Sequence, residues 1–169
     1  MTPIGIETYA NSRRLEKSLR LQNADLLTHY NLFEADLARP KVKAADFYGK
    51  EAYVAQKALA HQAAYLCTFT MKNNIDSNGV ARYPVGTSPI MDPETGDTII
   101  DSKGRRSYTT SIVYGPTIGK NIALGYLPHS YCQEGREFTI EYFGESYLVV
   151  LESVGYKPLY DPQNLKPKS

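Results

Sequence analysis

From residue 64 onward the chain is built of short runs suited to a pleated sheet, separated by turn signals. Residues 64–71 are dense in Tyr, Thr, Phe and Leu, which fit a half-buried strand. The stretch 72–79 is a polar loop. Asp92-Pro93-Glu94-Thr95-Gly96 and Asp101-Ser102-Lys103-Gly104 are turn sequences, joining an aspartate that bonds its own backbone to a permissive glycine. Further strands are expected at about 97–101, 105–114, 120–127, 136–143 and 146–154, with Phe143-Gly144-Glu145-Ser146 as a tight hairpin. Six short strands separated by turns imply a small antiparallel barrel.

The first 62 residues have a different texture. Leu15, Leu19 and Gln22 recur at helical spacing, which predicts a helix over 9–22 with Ser12 near its start. Glu16 and Arg20 are four apart, the spacing of a surface ion pair. Residues 23–45 read as irregular, and Pro40 breaks any helix there. A second helix is expected from a cap at Asp46, with Tyr48 in or near its first turn, through Glu51, Val54 and Leu59 to about His61. The chain thus reads as α+β: helices and irregular segments over 1–62, a six-stranded antiparallel barrel over 63–160, and a tail over 161–169 that is expected to fray.

Charge excludes some functions. With 19 basic and 18 acidic side chains the net charge is +1, so there is no basic field for nucleic acid or a membrane surface. No apolar run approaches the roughly 20 residues that span a bilayer, and the opening residues do not form a signal peptide. Cys67 and Cys132, far apart in sequence, suit two reduced thiols in a cytoplasmic protein. Dispersed His29, His61 and His129 and the absence of a paired-cysteine motif point to no metal. Residues 115–121 lack the spacing of a phosphate loop and carry Asn121 where a hydroxyl would bind magnesium. No nucleophile–base–acid triad is discernible. Fourteen Tyr and no Trp is an unusual ratio, and Tyr suits both half-buried strands and sites that recognise flat rings.

Several blocks carry a resemblance. Arg14-Leu15-Glu16-Lys17, Glu34-Ala35-Asp36-Leu37 and Asp46-Phe47-Tyr48-Gly49-Lys50-Glu51-Ala52 are followed by Thr109-Thr110-Ser111, by residues 115–124 and by Pro158-Leu159-Tyr160-Asp161-Pro162. In order and nearly in spacing they resemble the aminomethyltransferase (glycine cleavage T-protein) family of folate-dependent one-carbon transferases. There the corresponding stretches read roughly R-L-E-x-G, P-x-E-A-x-L, D-F-I-G-K-E-A, V-T-S, S-P-T-L-G-K-N-I-A-L and P-F-Y-D-P. The resemblance runs from about Ile4 to Pro162 and implies the C-terminal half of such an enzyme: the end of a folate-binding domain plus a β-barrel. It also implies a partner for the helices, either a preceding half of the protein or a second copy.

The resemblance implies tetrahydrofolate as cofactor and Glu16 as its pterin contact, since a carboxylate accepts an amino group and a neighbouring ring N–H side by side. Arg39, Lys41 and Lys43 alternate across Pro40 and Val42, so in an extended segment they point one way, toward the anionic glutamate tail of a folate or simply into solvent. Tyr48 departs from the family, which has an aliphatic residue there. A phenol can donate a proton to an aryl ether oxygen as its methyl leaves, and tetrahydrofolate-dependent O-demethylases of methoxyaromatics are relatives of this family. Residues 21–26 also depart from the glycine-cleavage form. The expected activity is therefore methyl transfer from a methoxyaromatic to tetrahydrofolate, with Tyr48 assisting the leaving phenoxide. The alternatives are an aminomethyltransferase acting on an amine-borne carbon, of glycine-cleavage or dimethylglycine type, and a non-catalytic folate-binding or docking module. Thr109, Ser111 and Lys120 are expected to brace the barrel.

Overall fold

The computed structural model describes residues 5–166. Six strands form one antiparallel sheet: β1 Ala64–Met71, β2 Ile90–Met91, β3 Thr109–Gly115, β4 Lys120–Pro128, β5 Glu137–Tyr142 and β6 Glu145–Val154. Their order across the sheet is β2-β5-β6-β1-β4-β3. The sheet curls into a half-barrel whose two edges are drawn together at one end. There the N–H of Ile90 donates to the Ser107 carbonyl at 3.0 Å, and that of Thr109 to the Ser88 carbonyl at 2.8 Å. Gly125 is required at this junction. A Cβ on it would lie 2.7 Å from the Tyr108 carbonyl oxygen and 2.8 Å from Ile90 Cδ1.

Alternation decides which side of each strand is buried. Along β6, Tyr147, Val149 and Leu151 point inward with Phe69, Phe138, Ile90 and Ile140 into the concave core. The second cluster, Ala64, Leu66, Ile122, Leu124 and Tyr126, joins Leu15 from the N-terminal segment. Both sides of the central strands are thus covered, which is why β1 and β4 are buried almost throughout. The β5–β6 hairpin turns on Phe143 (φ 53°) and Gly144 (φ 76°), two positive dihedrals that match the twist of the strands they join.

The helical part is smaller than the sequence predicts. A π-helical turn, Thr8–Ser12, runs directly into α1, Arg13–Glu16, and the helix expected to reach residue 22 ends at Glu16. Leu15 and Arg14 are buried, and Ser18 (φ 52°) turns the chain away. The Leu19 carbonyl is taken by the Arg14 guanidinium and the Leu21 N–H by Asp25, so neither is left for a helical ladder. The second helix, α2, is Lys50–Lys57 rather than 46–61, and Gly49 (φ 83°) rather than Asp46 occupies its N-cap. Of the stretch expected as the end of a folate-binding domain, residues 5–62 are described. These residues form short helices and turns, and the Arg13–Glu16 end of them packs on the sheet. Residues 97–101 are not a strand but meet their neighbours through isolated bridges, Met91 with Thr98 and Ile100 with Arg106. The tail does not fray at once: Lys17 Nζ lies 3.2 Å from Asp161 Oδ2, and the Tyr160 N–H donates to the Glu16 carbonyl. Residues 167–169, including Pro167 and Lys168, lie outside the described residues. No helix among the described residues is long and apolar enough to cross a membrane.

Glu34 ties the irregular 23–45 segment to the sheet. It is fully buried and accepts hydrogen bonds from Arg105 Nη2 at 2.5 Å and from the Asn31 N–H at 2.8 Å. Asn31 Oδ1 in turn accepts the Glu34 N–H at 2.9 Å, the reciprocal bonding of a capping box closed on a single turn. The Arg105 guanidinium sits 4.3 Å from the Tyr30 ring centroid, and Tyr30 stacks on Tyr126 at 3.5 Å. Burial alone would raise the Glu34 carboxyl, but the bonds from Arg105 and Asn31 outweigh it and hold it below the usual carboxylate value. A depressed folded pKa stabilises at pH values above the unfolded carboxylate value of about 4.3, and that stability is lost as pH falls through the folded pKa. Glu34→Gln is therefore expected to shrink the acid-induced loss of stability relative to wild type. Urea unfolding measured from pH 7 to pH 3 tests this, and an unaltered acid dependence in Glu34→Gln would count against it.

Candidate functional site

Arg14 and Asp25 bind the N-terminal segment to the barrel. The Arg14 Nη1 to Asp25 Oδ2 distance is 2.6 Å, and both side chains are buried. Arg14 also donates to Ser111 Oγ at 3.0 Å and to the Ala10 carbonyl at 2.6 Å. Asp25 accepts the Thr110 hydroxyl and the Leu21 N–H, while its carbonyl accepts the Tyr126 hydroxyl. Thr110 and Ser111 of the Thr109-Thr110-Ser111 block thus act as hydroxyl partners for a buried ion pair, the bracing role expected of that strand. Thr109 braces the edge junction, where its side-chain oxygen accepts the Ser88 N–H at 3.1 Å. Lys120 begins β4 with an exposed side chain.

Glu16 closes α1 beneath the β3–β4 hairpin. It is 4% exposed, and its Oε1 accepts the Thr117 N–H at 2.6 Å. Gly115 makes room for it, since a Cβ there would come within 3.2 Å of Glu16 Cγ and Oε1. The surface ion pair with Arg20 is not formed. Glu16 bonds to the hairpin, and the acid facing Arg20 is Asp36, at 3.9 Å.

Arg39, Lys41 and Lys43 do come together. They line one cavity of about 390 Å³ with Phe47 and Tyr53. The Tyr53 hydroxyl donates to the Arg39 carbonyl at 2.9 Å and Lys57 Nζ to the Pro40 carbonyl, so α2 holds the basic loop in place. Glu16 is not part of this cavity, and neither is Tyr48. The Tyr48 ring, just before α2, is fully exposed at 106% of its reference area. Its hydroxyl is free to meet a substrate but is not oriented by any neighbour among the described residues.

Sequence reasoning missed Asp25 and Glu34, the two fully buried carboxylates. For Glu34 a signal exists, the Asn31-x-x-Glu34 capping-box spacing. For Asp25 no local spacing marks the pairing with Arg14, eleven residues away.

Comparison with known proteins agrees with this architecture. Residues 85–161 match the glycine cleavage T-protein C-terminal barrel domain. The mitochondrial dimethylglycine dehydrogenase of Homo sapiens is 28% identical over 147 residues, covering 85% of this chain and 15% of that protein. Its Rattus norvegicus counterpart is 27% identical over 143 residues, covering 83% and 15%. The glycine cleavage system aminomethyltransferase T of Bartonella henselae superposes with a TM-score of 0.70 at 22% identity, over 90% of this chain and 38% of that one, a likeness of fold. The chain therefore spans about 15% of the length of the curated relatives it matches. These findings support an aminomethyltransferase-type C-terminal barrel domain in this chain, similar to that of the glycine cleavage T-proteins.

Proposed function

We propose that the chain serves a tetrahydrofolate-dependent one-carbon transferase and that its share of folate binding is to hold the anionic glutamate tail. The observation that carries this reading is the convergence of Arg39, Lys41 and Lys43 with Phe47 and Tyr53 around one opening. A folate tail is a carboxylate chain on an aromatic amide, and it fits cations set beside aromatic walls. Glu16 is the proposed pterin contact. Its Oε1 is engaged by Thr117, but a carboxylate oxygen has two acceptor positions, so a ring amino group can share the group. When bound, tetrahydrofolate supplies the nitrogen that takes up the one-carbon unit. The residues of this chain hold and orient it.

Two donors are compatible with that role. The names of the relatives, a dimethylglycine dehydrogenase and an aminomethyltransferase, favour an amine-borne carbon. The phenol at position 48 favours a methoxyaromatic. The exposed apolar side chains Leu21 and Leu32 are where we place contact with the remainder of a longer protein or with a second copy.

Calorimetric titration of the chain with tetrahydrofolate triglutamate tests the tail site. Replacing Arg39, Lys41 and Lys43 together by Gln is expected to weaken binding about tenfold, the sum of three exposed charge contacts of roughly 0.5 kcal/mol each. The loss should fade at high salt, and a tail-free pteroate should not feel it. Glu16→Gln should weaken both ligands by about 1.5–3 kcal/mol, the range for a hydrogen bond to a charged group. An undiminished preference for the triglutamate over the tail-free ligand in the triple variant would remove the basic cluster from the site, and unchanged affinity in Glu16→Gln would remove Glu16. Binding without turnover in the full-length protein, with either donor, would leave a folate-binding module.

A further inference from the structure

A second cavity, of about 550 Å³, is bounded by Leu19, Arg20, Leu26, Asp36, Leu37 and Tyr156. We propose that it binds a small organic carboxylate with an apolar body, the carboxylate meeting the guanidinium of Arg20.

The Arg20 side chain is only 5% exposed, yet its Nε and Nη2 are buried with no hydrogen-bond partner, the only such side-chain atoms among the described residues. Arg14, about as buried, bonds to Asp25, Ser111 and two carbonyls. Arg105 bonds to Glu34 and Asp101. The one acid within ion-pair distance of Arg20 among the described residues is Asp36, whose Oδ2 lies 3.9 Å from Nη2, too long for a hydrogen bond. That same oxygen accepts the Tyr156 N–H at 2.7 Å. On its other side the guanidinium lies over the Tyr156 ring, 5.1 Å from the centroid. A charge taken out of water with its donors unfilled is strongly disfavoured. Burial accordingly lowers the Arg20 pKa despite the opposing pull of Asp36.

The missing partner can be described from the site. A guanidinium fork matches a planar carboxylate through two parallel bonds. Asp36 at the rim repels a dianion more than a monoanion, which disfavours phosphate. Leu19, Leu26 and Leu37 call for an apolar body, and the volume lies in the roughly 300–1,000 Å³ range of small-molecule sites. The same chemistry could come from an acidic side chain of a second copy, but that would leave most of the apolar wall unfilled. Only Leu37 is shared with the basic cavity, so the proposal stands apart from the folate reading.

The test uses benzoate and its neutral isostere benzamide, titrated into the chain by NMR or calorimetry. Benzoate is expected to bind at least about tenfold more tightly than benzamide, because the charged acceptor makes the stronger bond. Arg20→Gln should erase that preference. Asp36→Asn, which suits the positive φ of 52° at this position, removes the competing carboxylate and should tighten benzoate binding several-fold. This second variant decides the matter if Arg20→Gln does not fold. Equal binding of the two probes, no binding of benzoate at about 10 mM, or weaker binding to Asp36→Asn would overturn the proposal. So would a dimer in sedimentation analysis that Arg20→Gln dissociates, since the carboxylate would then belong to a second copy.

Discussion

Asp25→Ala is expected to cost the protein about 3–5 kcal/mol of stability, the usual penalty for removing one partner of a buried ion pair. Asp25 is fully buried and holds the Arg14 guanidinium, the Leu21 N–H and the Thr110 hydroxyl at once. Its loss leaves Arg14 charged and without a counter-ion in the place where the N-terminal segment meets β3. Such a loss would be a large share of the roughly 5–15 kcal/mol by which domains are stable. Asp25→Asn should fall between, because its one amide oxygen can still accept from Leu21 at the Oδ2 position, with its NH2 turned to the Thr110 oxygen, but it does not neutralise Arg14. The double change Arg14→Met with Asp25→Leu should recover much of the loss, since an apolar pair of similar volume carries no desolvation penalty. Urea unfolding of the four proteins measures this. A loss below about 1 kcal/mol in Asp25→Ala would mean that water reaches Arg14 and that the pair does not bind the two parts together.

This pair also explains where the sequence could be read and where it could not. β1, β4, β5 and β6 lie within a residue or two of their expected positions because alternation and turn chemistry are local signals. The hairpin at Phe143-Gly144 was legible for the same reason. The helix expected over 9–22 was not. Leu15 and Leu19 keep a helical spacing, but Leu15 is buried in the core while Leu19 is half exposed, because Arg14 and Asp25 capture the backbone between them. That capture is a tertiary event which outweighs propensity. Ile90–Met91 became a strand, and 97–101 did not, because the partly closed barrel draws residues 88–90 to residues 107–109. The basic trio was legible as an alternating run, and its three residues border one cavity. The surroundings of Glu16 were not, since nothing local places the Thr117 N–H against a residue 101 positions earlier.

The second large effect concerns Tyr48. If the one-carbon donor is a methoxyaromatic, Tyr48→Phe in the full-length protein is expected to slow single-turnover demethylation about 10²–10⁴-fold, the usual worth of a general acid. Folate affinity should hardly change, because Tyr48 does not line the basic cavity. Stability should not change either. The ring is fully exposed, so removing its hydroxyl breaks no internal contact. That separation gives the experiment its force: a buried structural tyrosine would lose stability along with rate, whereas this one can lose only rate. An exposed phenol also makes a poor acid until a substrate and a facing surface exclude water from it, so the effect should appear in the chemical step with donor bound and not in donor-free folate binding. The measurement pairs a methoxybenzoate with dimethylglycine as donors. Slowing confined to the methoxybenzoate assigns Tyr48 to phenoxide departure. Equal rates for wild type and Tyr48→Phe on both donors, with dimethylglycine the faster substrate, would leave the amine-borne carbon as the donor and Tyr48 as a surface residue before α2.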